Sequence, residues 1–209
     1  LGLRNKHSAD ADANNIQCID LVVCNLYPFS ETVSREDCNL AMALENVDIG
    51  GPTMIRSAAK NLGWVCVAVD PSDYSSLTDE LQSGEISFET RRELSAKAFG
   101  QTAKYDTIIH NYLKDEKLSD NLSLTFEKHS EMRYGENPHQ SAASYKIPGN
   151  NEPNVLNATI HQGKQLSYNN IMDADGALAC IREFGSPACV VVKHSNPCGV
   201  AIGDDLLDV

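Results

Sequence analysis

No stretch of the chain approaches the roughly 20 consecutive apolar residues of a membrane-spanning helix. Nor does it open on the basic-then-apolar leader of a secretory precursor, so a cytoplasmic protein with no membrane partner is expected. A basic patch is missing too. Seventeen Lys and Arg stand against 29 Asp and Glu, a formal net charge of −12, which argues against a nucleic-acid partner and leaves any small anion dependent on local cations. Internal repeats and low-complexity tracts are absent, and no two cysteines have Cys-x-x-Cys spacing. Pro197-Cys198 supplies half of the Pro-Cys-x-x-Cys zinc pair of the nucleobase deaminases, but position 201 is alanine, and no metal is expected. The seven cysteines, at 18, 24, 38, 66, 180, 189 and 198, mostly fall inside apolar strand or helix patterns and read as reduced core thiols.

With 42% apolar and 22% charged residues among 209, the chain is of the ordinary globular class, with room for one large domain or parts of two. Residues 19–25 and 65–70 read as strands and 34–45 and 53–61 as helices, an alternation that implies an α/β fold with a parallel sheet. Pro71-Ser72-Asp73 starts a short helix. Ser87 caps a long one, in which Phe88, Leu94, Ala98, Phe99, Ala103, Ile108, Ile109 and Tyr112 share a face. Over residues 114–121 charge rises and periodicity fades, then 122–128 alternate like a strand, which puts a domain boundary near Ser123. A polar turn at 133–140, a Pro/Gly/Asn-rich loop at 147–154 and a helix over 173–184 follow. The chain opens on Leu1-Gly2-Leu3 without methionine, and Leu206-Leu207-Asp208-Val209 reads like the interior of an element. A fragment is expected.

The run Ala188-Cys189-Val190-Val191-Val192 reads as an interior strand that ends on Lys193-His194. Open α/β sheets place ligands at the carboxyl ends of strands, and Asn196-Pro197 and Gly199 turn the chain away from that edge. A Lys-His pair there is ordinarily a solvated cap. The polar residues crowded after an apolar run are costly to bury without partners, however, which favours a binding loop, and a base beside a fixed positive charge suits group transfer. Asn25 and Tyr27 emerge at the end of an earlier strand. Asp48-Ile49-Gly50-Gly51-Pro52 leads into the helix whose last turn holds Lys60; paired glycines permit close backbone approach, and free amides favour an anionic or carbonyl oxygen. Such a segment is by itself more often a plain connection, and a lone Lys60 more often an exposed helix lysine favoured by the helix dipole than a catalytic one. Arg133 offers a planar fork for phosphate, with Tyr134, Asn137, His139 and Gln140 close by. Asn169 and Asn170 add polar groups, or cap the following helix.

Five segments together resemble one family. They are Asn25-Leu26-Tyr27-Pro28-Phe29; Asp48-Ile49-Gly50-Gly51 with Arg56-Ser57-Ala58-Ala59-Lys60-Asn61; Arg133-Tyr134-Gly135-Glu136-Asn137-Pro138-His139-Gln140; Leu166-Ser167-Tyr168-Asn169-Asn170; and Lys193-His194-Ser195-Asn196-Pro197-Cys198-Gly199. In order and almost end to end, they are similar to the bifunctional purine-biosynthesis family that joins AICAR transformylase to IMP cyclohydrolase. The resemblance implies part of a methylglyoxal-synthase-like cyclohydrolase domain over 1–122 and the start of a cytidine-deaminase-like α/β transformylase domain over 123–209. It also implies a phosphate-gripping Arg-x-Lys-Thr loop ahead of Leu1, folate-binding residues beyond Val209, a homodimer, and little activity in these 209 residues alone.

In that family a formyl group passes from the co-substrate 10-formyltetrahydrofolate to the 5-amino group of AICAR, and formyl-AICAR then closes to IMP with loss of water. For the first step the resemblance makes His194 the base, Lys193 the stabilising cation, and Arg133, Tyr134, Asn169, Asn170 and His194 the AICAR contacts. For the second, Lys60 matches the proton-transfer residue, and Cys24, Asn25, Asp48, Ile49, Gly50 and Gly51 match positions that hold the nucleotide. Tyr27 and Asp48 are implied to polarise the carboxamide and formyl groups; which of them moves a proton stays open. The rival is a methylglyoxal-synthase-like nucleotide-binding regulatory module without catalysis, which gives no reason for the Arg133 and Lys193 segments.

Overall fold

A computed structural model of the chain describes residues 4–115, 118–150, 152–205 and 207. Leu1, Gly2 and Leu3, and Leu206, Asp208 and Val209 of the segment read above as the interior of an element, lie outside the described residues. Two compact units divide the chain, 1–124 and 125–209.

The first unit opens on helix α1 (Arg4–Ala13) and is organised around two short parallel strands, β1 (Leu21–Val23) and β2 (Cys66–Ala68), with Leu21 opposite Cys66 and Val23 opposite Ala68. β2 is apolar throughout because both of its faces are covered, as a parallel strand requires. Val67, with Val65 and Val69, packs on Ile55, Ala58 and Ala59 of helix α4 (Gly50–Lys60) and on Ala98. Cys66 and Ala68, one residue out of phase, pack with Leu77, Ile86 and Leu94. Full burial of each Ile, Leu or Val contributes about 1.5–3 kcal/mol. A third cluster joins Phe29, Ala43 and Tyr105, the Phe29 ring standing edge-on to Tyr105 and Tyr112 at 6.3 and 5.7 Å.

Of the helix expected over 34–45 only α3 (Leu40–Glu45) forms, and a separate short helix, α2 (Phe29–Val33), lies before it. Ser34 ends α2, and Asn39 starts α3 by accepting the Met42 N–H at 3.1 Å. α4 begins at Gly50 instead of residue 53, because the Asp48 carboxylate satisfies the Gly51 N–H at 2.7 Å. A 3₁₀ turn (Pro71–Asp73) capped by Asp70 runs into α5 (Tyr74–Ser83). The long helix α6 (Phe88–Leu113) starts where Ser87 accepts the Thr90 N–H, and it turns Leu94, Ala98, Thr102 and Tyr105 inward. Phe88 and Phe99 of the expected apolar face remain exposed.

The second unit has antiparallel strands β3 (Glu127–Glu131) and β4 (Ala143–Lys146), a 3₁₀ turn (Val155–Asn157), helix α7 (Tyr168–Ile181), and the hairpin β5 (Ala188–Lys193) and β6 (Asn196–Ile202). β3 starts five residues later than the strand expected from 122, and α7 starts five residues before the expected 173. The reason at α7 is a reciprocal cap: Ser167 donates its N–H and Oγ–H to Asn170 Oδ1 at 3.1 and 2.9 Å.

Two expectations are overturned here. β5 is not an interior strand of a parallel sheet; among the described residues it pairs only with antiparallel β6, its residues alternating half-buried and exposed. Residues 196–199 are not the turn either, since they are ladder residues of β6. The chain reverses at His194 and Ser195, whose φ angles of 54° and 63° are the left-handed pair that a two-residue hairpin needs. Of the cysteines, all free, only Cys66 is a buried core thiol; Cys18, Cys189 and Cys198 are exposed.

Candidate functional site

Because β1 and β2 run in parallel, their carboxyl ends open on one edge, and Asn25 lies there beside Val69. The Asn25 side chain donates to the Val69 carbonyl at 3.1 Å and accepts from the Tyr74 hydroxyl at 3.2 Å. Asp48 draws the neighbouring segments together, accepting the Gly51 N–H on Oδ1 and the Tyr27 N–H, at 3.4 Å, on Oδ2. Its own N–H donates to the Tyr105 hydroxyl at 2.8 Å. Gly51 is glycine for lack of space: a Cβ there would lie 2.5 Å from Asp48 Oδ2 and 2.8 Å from a Leu26 methyl. Gly50 has open space, Ile49 is exposed, and so is the Tyr27 ring. Burial, and then the Asp48 charge, push the Cys24 thiol above its ordinary value, so it stands there as a neutral thiol. Just beyond β2, Lys97 ties Asp70 and Asp73 together at 3.0 and 2.8 Å, and the Asp70 carboxyl, held by the Ser72 N–H and then by Lys97, falls to about 2.

Cys24, Asn25, Tyr27, Asp48, Ile49, Gly50 and Gly51 are thus brought together. Lys60 is not. It is exposed in the last turn of α4, about 15 Å along the axis from the Gly50 end by helical rise.

In the second unit the expected residues gather along one face of α7, where Asn169, Asp173 and Gly176 succeed one another at i, i+4 and i+7. Asn169 donates to the Glu136 carbonyl at 3.0 Å, and the Tyr168 N–H reaches the Tyr134 carbonyl, which ties down the 133–140 loop. Gly135 is buried in that loop, its N–H bonded to the Gln140 carbonyl. The Arg133 guanidinium lies over the Tyr134 ring, 5.1 Å from its centre, and is exposed. Along the same face, Asp173 accepts the Ser195 N–H at 2.8 Å and Gly176 abuts the Ser195 carbonyl. Lys193 and His194 are exposed above this clasp. Two successive non-glycine residues in the left-handed region cost about 1–2 kcal/mol each. Asn170 Oδ1 is engaged by Ser167 in the cap.

A cavity of about 550 Å³ beside the loop is lined by Arg133, His139 and Gln140 together with Lys128, whose charge is paired with Glu131 of the same wall at 2.8 Å. The larger cavity of about 630 Å³, between β3, the 155–157 turn and α7, is mostly apolar and contains none of the expected residues. The sequence does contain a His-x-Glu, His129-Ser130-Glu131 on β3. Even so, among the described residues no three His, Cys, Asp or Glu stand together as a metal site, and no helix is long and apolar enough to cross a membrane.

Residues 58–209 match the family model described as AICARFT/IMPCHase bienzyme. The chain belongs to the AICARFT/IMPCHase bienzyme family. Over 204 residues it is 53% identical to the Bifunctional purine biosynthesis protein PurH of Bacillus cytotoxicus and 52% identical to that of Bacillus cereus strain AH187. Each match covers 96% of this chain and 40% of the relative, so the chain spans well under half the length of these curated relatives. A solved structure titled Crystal structure of ForH is 33% identical, covering 49% of this chain and 54% of its own, with a TM-score of 0.45.

The hydrogen bonds around the two candidate sites also pick out side chains that the sequence alone left unmarked. Tyr74, Tyr105 and Asp173 each hold an expected site segment from a distant position. The only local signal was a polar group on an inward helix face.

Proposed function

We propose that the two units contribute to two sites of one bifunctional enzyme, which formylates AICAR with 10-formyltetrahydrofolate and closes the product to IMP. On this reading residues 1–122 are part of a methylglyoxal-synthase-like cyclohydrolase domain, and 123–209 begin a cytidine-deaminase-like transformylase domain. Family membership supports it. What supports it is the single face of α7 that ties down both the 133–140 loop, through the Glu136 carbonyl, and the 194–195 turn, through the Ser195 N–H.

The AICAR amine is a weak nucleophile, its lone pair delocalised into the imidazole. As its nitrogen attacks the formyl carbon it must lose a proton, which His194 accepts, while the bond from that carbon to the folate nitrogen breaks. Lys193 steadies the negative charge developing on the formyl oxygen and the departing nitrogen. Arg133 takes the nucleotide phosphate as a fork, with Tyr134, Asn169 and Asn170 completing the AICAR contacts. In the first unit the nucleotide lies against Cys24, Asn25, Ile49, Gly50 and Gly51. The carboxamide nitrogen then attacks a formyl carbon of the same molecule, so positioning supplies much of the rate. Asp48 and Tyr27 polarise the reacting groups, and Lys60, at the far end of α4, moves the proton.

Folate residues lie outside this chain on this reading, no metal takes part, and the assembly is a homodimer. Free thiols on the surface suit the reducing cytoplasm. A regulatory nucleotide-binding module is the weaker reading, because the family match runs through the whole second unit.

The test is a crossed pair of substitutions in a chain of the relatives' full length, with each half-reaction assayed separately. His194→Ala removes formyl transfer and spares cyclisation of supplied formyl-AICAR. Lys60→Ala does the reverse, slowing closure on the order of 10²–10⁴-fold. Equal loss of both activities in either variant sinks the division of labour, and unchanged closure makes Lys60 an ordinary surface lysine.

A further inference from the structure

We propose that Asp173 and Gly176 are positioning residues that hold the His194–Ser195 turn in its left-handed form and so aim the His194 imidazole. The inference rests on the reading of His194 as the proton acceptor. Its starting point is a mismatch between residue type and backbone. Two-residue hairpin turns with both φ angles positive favour Asn-Gly, yet here the pair is His-Ser at 54° and 63°. Neither side chain relieves the crowding of that conformation, so it persists only where the surroundings over-determine it.

Three contacts do so, one on each exposed end of the turn's peptides. The Ser195 N–H is taken by Asp173 Oδ1 at 2.8 Å. The His194 carbonyl is taken by the Asn196 side-chain amide at 2.7 Å. The Ser195 carbonyl is seated against Gly176, where a Cβ would lie 2.9 Å from that oxygen and 3.4 Å from its carbon. Those are backbone atoms, which cannot swing aside as a side chain does. Glycine in the interior of α7 weakens the helix, and its compensation is this close approach. Asn169, one turn before Asp173, ties the 133–140 loop to the same face. One rigid helix therefore sets the separation between the phosphate fork and the base. Ser195 is half-buried in the clasp, whereas Lys193 and His194 stand exposed on its far side.

The experiment compares Gly176→Ala, Asp173→Ala, Asp173→Asn and His194→Ala in a chain of the relatives' full length, with kcat and KM for both half-reactions and the thermal midpoint. Gly176→Ala is expected to lower kcat for formyl transfer on the order of 10²-fold, the effect of misplacing a catalytic group by about 1 Å. KM for AICAR and cyclisation should hold. The thermal midpoint should shift little, since alanine's better helix propensity offsets much of the crowding against the Ser195 carbonyl. Asp173→Ala should behave alike, and Asp173→Asn, which keeps the acceptor oxygen, should recover most of the rate. The proposal is overturned if Gly176→Ala transfers formyl within about threefold of the parent while His194→Ala is dead, if both activities fall together with the thermal midpoint, or if Asp173→Asn is as impaired as Asp173→Ala. Should Gly176→Ala fail to fold, the Asp173 pair decides alone. If His194→Ala still transfers formyl, it is the assignment of the base that has failed.

Discussion

All the fully buried apolar side chains among the described residues lie between Phe29 and Tyr105, whereas the second unit buries Ser144, Ser167 and the glycine at 135 and leaves its apolar faces half covered. The first unit is held by packing on both faces of β2, and its candidate site is the rim of that core. The second is held by polar tethers from α7, and there the tethers are themselves the scaffold of the candidate site. Stability and geometry are therefore separable in the first unit and entangled in the second.

The contrast can be broken at several points. The largest effect belongs to Phe29→Ala, which opens a cavity among Ala43 and Tyr105 and should cost about 3–5 kcal/mol. The chain's single tryptophan, Trp64, lies in the first unit and reports that unit's urea unfolding alone. Val191→Ala, on the exposed face of β5 in the second unit, to which Trp64 is blind, is read by that unit's amide hydrogen exchange and should stay within about 0.5 kcal/mol. Equal costs would mean that the second unit has as tight a core as the first.

A smaller effect follows from Ser167→Ala, which removes the hydroxyl half of the reciprocal cap on α7 and should cost about 1 kcal/mol. Followed by hydrogen exchange, it should loosen the amides of Tyr168 and Asn169, the residues that tether the 133–140 loop, and leave β2 protected. A loss spread over both units would dissolve the distinction.

The smallest effect is acid-dependent. The folded Asp70 carboxyl sits at about 2, below its unfolded value. Its contribution is thus fully present above the unfolded value near pH 4 and is lost as pH falls toward 2. Because the group is exposed, the effect is modest. In Asp70→Asn the first unit should lose less stability between pH 4 and pH 2 than the parent does. Parallel acid curves would show that neither the Ser72 N–H nor the Lys97 pairing makes the Asp70 charge matter to the rim.

What could be read from the sequence follows the range of the interactions. β2 and α6 were legible because an all-apolar run and a Ser87 cap are local signals, as was the parallel α/β pattern. β5 was misread as interior because three consecutive valines look the same in a covered parallel strand and in a hairpin. The turn at His194 was invisible, since a His-Ser pair lacks the Asn-Gly or Asp-Gly signature by which two-residue hairpin turns are recognised. Asp173 went unmarked because its partner is 22 positions away, and polar residues in mid-helix ordinarily face water. Lys60 came from resemblance, and the geometry sets it apart from the other residues expected around Asp48.

The two sheets also differ in when they can assemble. β6 is joined to β5 by two residues, so the loop to be closed is minimal and hairpins of this kind form in microseconds. β1 meets β2 only after α2, α3 and α4 have been threaded between Leu21 and Cys66. Its loop-closure entropy has to be met before the ladder returns anything. During synthesis the first unit therefore emerges first but waits, β1 unpaired, until Cys66 and the residues after it have left the ribosome. The hairpin with His194 at its tip can close almost as soon as it appears.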